Sequence, residues 1–279
     1  MRLAAQATCF RPSRGHTKIA PTPDFLFNTI HSPDLGTVMN SMNDGKFSVS
    51  CNHCGLNGIC LPQSLTDSEM SQIDEQVKRG KPLHRGDKLF EMGDDFHAFY
   101  AVRSGAIKAY AIDDEGDEQV VGFFLPGEIL GLDSIAAGKH VSTARALETT
   151  AVCEIPFDQV ETLSQRISKL QSQMYRMLSK EIHQDHELHM LLSKKTAEER
   201  IAAFLMNLSL RYERRRLSSS RFRLPMARTD IGNYLGLAVE TVSRVFTRLQ
   251  GNGILQVDGK ELEILDKQRL CHMAHQEEA

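Results

Sequence analysis

Three cysteines stand within ten residues, Cys51-x2-Cys54-x5-Cys60 in CNHCGLNGIC. A thiolate is a nucleophile, a redox centre and a soft metal ligand, and its surroundings decide which of these it serves. The N-terminal MRLAAQATCFRPSRG has too short and broken an apolar run for a secretory signal. No stretch reaches the ~18 apolar residues of a membrane span. The expectation is a cytoplasmic protein, with no membrane partner, whose thiols are kept reduced. Closely spaced cysteines then read as metal or redox chemistry rather than structural disulfides. Most metal centres want a fourth ligand. No neighbouring residue marks that ligand, and Cys153, in the apolar stretch AVCEIPF, reads by default as an inert buried cysteine. Four thiolates suit tetrahedral zinc or an iron–sulfur cluster, and spacing does not separate the two.

A second chemistry lies near the C-terminus. RTDIGNYLGLAVETVSRVFTRLQ, residues 228–250, fits a helix-turn-helix. Gly232 is small where two helices must cross closely, and Gly236 sits in a turn that needs a positive φ. Ile231, Leu235, Leu237, Val242 and Val245 have the spacing to pack the two helices together. The second helix presents Glu240, Ser243, Arg244 and Arg248 on other faces. Arg can donate twice to guanine, Glu can accept from the cytosine amino group, and Ser serves either way. Glu240 and Arg244 are also four apart, which permits a plain helical ion pair. GILQVDGKELEIL follows, with Asp258-Gly259 as a hairpin signal, so a wing against the phosphate backbone is expected.

The charge distribution fits that division. Residues 194–260 hold 13 Lys+Arg and 6 Asp+Glu, a net of +7, and since the whole chain is −3 the rest carries −10. An acidic front and a basic back suit a regulatory part joined to a nucleic-acid-binding part. Part of the basic charge is the run RYERRR (211–216), whose plain reading is a solvated helix end.

Several elements must position these residues. Residues 1–47 lack a period and are broken by four prolines, so a disordered extension is expected. A short helix follows Ser64, with Thr66 and Glu69 as a capping box. Residues 82–156 read as short strands between glycine turns, a β-sandwich or barrel. Residues 157–193 read as one long helix with no Gly or Pro, whose Met174, Leu178 and Ile182 form an apolar seam for a homodimer. Asp185 continues that face, where like charges would weaken the pairing. A second helix begins near Thr196. The domain boundaries expected are 1–47, 48–156, 157–193 and 194–279. No GxGxxG fingerprint and no catalytic Ser/His/Asp or paired-carboxylate arrangement is visible, so an enzyme is not expected.

A glycine-rich β-roll, a long helix and a winged helix together resemble the Crp/Fnr transcription regulators, in an α+β fold. Cys51-x2-Cys54-x5-Cys60, ALETTAVCEIPF, LLSKKTAEERIAAFLMNLS and IGNYLGLAVETVSRVFTRLQ are similar to the oxygen-sensing Fnr/Anr branch, over about residues 49–270. The resemblance implies that Cys51, Cys54, Cys60 and Cys153 hold a [4Fe–4S] cluster, and that Cys9 and Cys271 are not ligands. His53 is then a neighbour of the ligands rather than one of them. It further implies a dimer on an inverted repeat of TTGAT-like half-sites in double-stranded DNA, read by Glu240, Ser243 and Arg244. The acidic loop IDDEGDEQ (112–119) becomes a candidate RNA polymerase contact. Cyclic-nucleotide-binding members use a Glu near a Gly-Glu segment and an Arg-Ser pair. Here Gly127-Glu128 is present, but Val141-Ser142-Thr143 replaces the pair, so no cyclic-nucleotide response is expected.

Overall fold

A computed structural model describes residues 49–275, so the expected N-terminal extension lies outside the described residues. The cysteine segment comes first and opens with a short 3-10 turn, Cys51–His53. Helix α1 (Asp67–Asp74) follows, with the reciprocal Thr66–Glu69 capping box expected of it. Strands β1 (Lys78–Arg79), β2 (Lys88–Phe90), β3 (Ala98–Ser104), β4 (Ile107–Ile112), β5 (Glu118–Phe124), β6 (Ile129–Leu130), β7 (Thr143–Ala146) and β8 (Ala151–Pro156) build the β-roll. They form two antiparallel four-stranded sheets, ordered β1-β8-β3-β6 and β2-β7-β4-β5.

Alternation along the strands gives the roll three apolar layers. Phe90, Val102, Ile107, Leu130 and Ala144, from both sheets, meet between them. On the outer face of the first sheet Phe99, Ala101 and Ile155 pack with Leu61, Ile73, Val160, Ile167 and Leu170. On the outer face of the second, Tyr110, Val120 and Phe123 pack with the C-terminal part of the chain.

The long helix differs from expectation. Two helices, α2 (Phe157–Ser164) and α3 (Ser168–Lys194), replace one. Ile167 leaves the helical backbone at φ −110° and ψ 88° and buries with Val160 and Leu170. The hydrophobic period runs unbroken across this kink, because the residues on either side serve the same cluster. The expected seam is also divided. Met174 and Leu178 are half-buried against their own chain's core, whereas Ile182 is 57% exposed and Asp185 is exposed.

Helix α4 (Ala197–Arg214) starts at Thr196 with a second capping box, closed by Glu199. Then come β9 (Arg221–Arg223), α5 (Arg228–Leu235), α6 (Val239–Gly251), β10 (Leu255–Asp258), β11 (Glu261–Ile264) and α7 (Lys267–His275). The last sheet runs β10-β11-β9, so the expected hairpin gains a third strand. Gly236 adopts φ +61°, and a β-carbon on Gly232 would stand 2.6 Å from the Leu237 carbonyl, so both glycines act as steric logic demands.

The described residues form one compact unit, and Phe123 of β5 packs at 5.3 Å on Tyr234 of α5 and at 6.0 Å on Phe204 of α4.

Candidate metal centre and nucleic-acid interface

Cys51, Cys54, Cys60 and Cys153 border one small apolar cavity of about 40 Å³. Turns of the cysteine segment bring the first three there. The Cys54 amide donates to the Cys51 carbonyl, and the Cys60 amide to that of Leu56. Strand β8 brings the fourth, with Cys153 paired to Ala101 on one side and Arg79 on the other. None of the four is in a disulfide. They share a cavity without being drawn together: among the described residues, no three His, Cys, Asp or Glu side chains are gathered as around a metal ion. His53 is exposed and contacts Ser50, consistent with a residue outside the ligand set.

Burial pushes the Cys51 and Cys60 thiols up to about 12, and raises Cys153 as well. For Cys51 the hydrogen bond with Asp74 adds to burial. Without compensating positive charge these thiols stay protonated at neutral pH, and a metal centre would supply that charge.

The surroundings fit an anionic thiolate cluster. Arg79 and Arg103 line the cavity. Arg79 is paired with Asp74 and donates to Cys51 Sγ at 3.6 Å. Its Nε is buried without an acceptor, so a donor remains beside the sulfurs. Asp74 in turn accepts from the Cys51 amide at 2.8 Å. Burial alone would raise its carboxyl, but the bonds from Cys51 and Arg79 hold it below the usual range. Sequence reasoning missed Asp74, Arg79 and Arg103. The only available signal was their charge near a cysteine-rich stretch, which many exposed residues share.

The second site is α6. Val242, Val245, Phe246 and Leu249 are buried, while Glu240, Ser243, Arg244 and Arg248 are exposed. The ion pair that the Glu240–Arg244 spacing permits is not formed: Arg244 Nε donates to the Glu240 carbonyl instead, and both side chains are exposed. Arg248 is different: its guanidinium pairs with Glu198 of α4. Of the four expected DNA contacts, three are presented and the fourth is engaged within the chain.

The rest of the basic run is also divided. Arg214 and Arg216 are exposed, but Arg211 and Arg215 turn inward onto Glu128. The stretch is neither a wholly solvated helix end nor a wholly DNA-facing patch. In the acidic loop, residues 112–117 are exposed. Glu118 pairs with Lys108 and Arg145, and Gln119 donates to the Asn233 carbonyl.

A Crp-like helix-turn-helix domain matches residues 199–273, and a cyclic nucleotide-binding domain matches 81–166. The chain is 53% identical to the transcriptional activator FnrA of Stutzerimonas stutzeri over 224 residues, 80% of this chain and 92% of that protein. The chain belongs to the Crp/Fnr family, in its Fnr/Anr branch. The fumarate and nitrate reduction regulatory protein of Escherichia coli K12 is 45% identical over 237 residues, 85% of this chain and 95% of that one. FixK2 of Bradyrhizobium japonicum has the same fold, with a TM-score of 0.65 and 29% identity across 72% of this chain and 99% of its own. The protein is thus a DNA-binding transcription regulator of Fnr/Anr type, and its relatives are regulators rather than enzymes. No helix among the described residues is long and apolar enough to cross a membrane.

Proposed function

We propose that the protein is an oxygen-responsive transcription regulator whose Cys51, Cys54, Cys60 and Cys153 hold a [4Fe–4S] cluster. The observation that carries this reading is the shared apolar cavity bordered by all four thiols, with the spare Arg79 donor beside them. When bound, such a cluster supplies an oxygen-labile link among four thiolates. The residues do the rest. Arg79 and Arg103 offset the negative charge of the thiolates, and Asp74 holds the Cys51 turn and Arg79 in place.

Ile182, exposed beside Asp185 on α3, then pairs with its counterpart in a second copy, and Met174 and Leu178 extend the seam. The dimer sets two α6 helices about 34 Å apart, one turn of duplex, for an inverted repeat of TTGAT type. Glu240, Ser243 and Arg244 read base edges. Arg248, held by Glu198, supports the end of α6 or meets a phosphate. Loss of the cluster in air loosens the dimer and lowers DNA affinity. The exposed loop 112–117 is the surface offered to RNA polymerase. A cyclic nucleotide is not a ligand, because Glu128 is already engaged by Arg211 and Arg215. A reduced compartment, the cytoplasm, is where these thiols remain available.

The test is anaerobic purification, followed by an absorption spectrum with iron and sulfide assays. Brown protein with about four iron and four sulfide per chain, bleaching in air as the dimer dissociates, is the expected result. Colourless protein with one zinc and air-stable DNA binding would remove the oxygen-sensing mechanism.

A further inference from the structure

The turn Pro126–Gly127–Glu128 is held from two sides. On one side lies the cysteine segment: a β-carbon built on Gly127 would stand 2.6 Å from Ile59 Cδ1 and 2.7 Å from Ile59 Cγ1. Gly127 has φ +87°, so the backbone there also favours glycine. Ile59 is the residue before Cys60. On the other side lies α4. Arg215 Nε donates to the Pro126 carbonyl at 2.6 Å, and its guanidinium pairs with Glu128, also at 2.6 Å. Arg211 donates to the Phe123 carbonyl and pairs with the same carboxylate. The third partner of Glu128 is the Leu125 amide at 2.9 Å, which ties its side chain to its own turn.

We propose that this turn couples the cysteine segment to the DNA-binding part, with Ile59 bearing on Gly127 and the Glu128 carboxylate transmitting to Arg211 of α4 and Arg215, the residue that caps its C-terminus. The route is short and has no slack. Ile59 occupies the space a side chain on residue 127 would need, so a shift of the segment around Cys60 must either move the turn or open a void beside it. Glu128 carries that movement to two guanidiniums four residues apart, one in the last turn of α4 and one on the residue that caps it. Arg211 and Arg215 are therefore positioning residues: they set the attitude of α4 rather than touching DNA.

The coupling matters for regulation only if the cysteine segment is the sensing element, but its measurement does not depend on that. Hydrogen exchange is followed by mass spectrometry on the full chain without metal, in wild type, Ile59→Val and Ile59→Ala, each with and without Glu128→Gln. Ile59→Val removes only Cδ1 and keeps the fold if the larger truncation does not. The expected result is roughly tenfold faster exchange over 123–128 and 208–216 in Ile59→Ala. A smaller rise in the same segments is expected for Ile59→Val. In the Glu128→Gln background neither change at residue 59 should alter exchange in 208–216. A rise confined to 50–62, or one that reaches 208–216 despite Glu128→Gln, overturns the proposal. Iron and sulfide assays on separate anaerobic samples judge the cluster reading independently.

Discussion

The thiol cavity and the Glu128 clamp both bury ionisable groups, with opposite results. At the cavity, burial drives Cys51 and Cys60 up to about 12, because the charged form finds too little compensation. At the clamp, burial alone would raise Glu128, but Arg211 and then Arg215 outweigh it and bring the carboxyl down to about 2. The clamp is complete within one chain: Arg215 and Glu128 side chains are 4% and 20% exposed, and each finds its partners. At the cavity three thiols are shifted upward and the Arg79 Nε is buried without an acceptor. A site that lacks its countercharge responds to whatever brings that charge, whereas a site that already contains it serves as a fixed joint.

The difference is broken most completely at the cavity. Cys153→Ser keeps the strand but replaces a proposed soft ligand by a poor one. Anaerobic protein should fall from about four iron per chain toward none. Specific DNA affinity should drop at least ~10-fold, or ~1.4 kcal/mol. Iron assay and a DNA titration at fixed salt check this; retention of iron would remove Cys153 from the ligand set.

At the clamp, Glu128→Gln leaves two buried guanidiniums without their carboxylate. A loss of roughly 3 kcal/mol at pH 7 is expected, since breaking a buried pair from one side is costly. The sign with pH follows from the depressed value. Stability from Glu128 is fully present above its ordinary value near 4.5 and is lost as pH falls toward about 2. Denaturant titrations of wild type and variant should therefore converge in acid. Curves that stay parallel from pH 7 to 3 would contradict the clamp.

These two regions also separate what was legible in the sequence from what was not. Thr66–Glu69, the start of α4 near Thr196, Gly236 and the β10–β11 hairpin were readable because each is decided by residues a few positions apart. The four cysteines were assembled only through family resemblance, since Cys153 alone looks like an ordinary core residue. The clamp was missed because Arg211 and Glu128 lie 83 residues apart, and no local rule pairs them. Arg211 and Arg215 are four apart at the end of α4, yet a run of like charges hides which members turn inward. The kink at Ile167 was invisible for a related reason: both halves of the period serve one core.

Helix α3 carries an intermediate case. Glu181 is pushed up to about 7, by burial first and Asp185 second, with Asp133 also contributing against Lys180. It resembles the thiols in lacking countercharge, but it is only partly buried. Between its ordinary value near 4.5 and about 7 the folded chain keeps a proton the unfolded chain has released, so stability falls as pH rises through that window. Glu181→Gln should flatten that slope and gain about 1 kcal/mol at pH 8, a figure already reduced for solvent screening. Denaturation of metal-free protein at pH 5, 6, 7 and 8 measures it; an unchanged slope would mean that solvent satisfies the carboxylate.

Asp185, one turn further along α3 and exposed, should give the smallest effect. In a single chain its main electrostatic consequence is to help keep Glu181 protonated. In the proposed dimer its own copy faces it, and two carboxylates near a water-exposed seam repel by a few tenths of a kcal/mol up to ~1. Asp185→Ala should therefore tighten the dimer in air by about threefold, or ~0.7 kcal/mol, and lower the Glu181 titration slightly. Sedimentation of metal-free protein across a concentration series reads the first effect, and the pH slope of stability reads the second. A lowered slope with unchanged oligomer mass would place Asp185 in the chemistry of its own helix and off the seam. The cavity would then have to reach the dimer through Ile182 and its apolar neighbours instead.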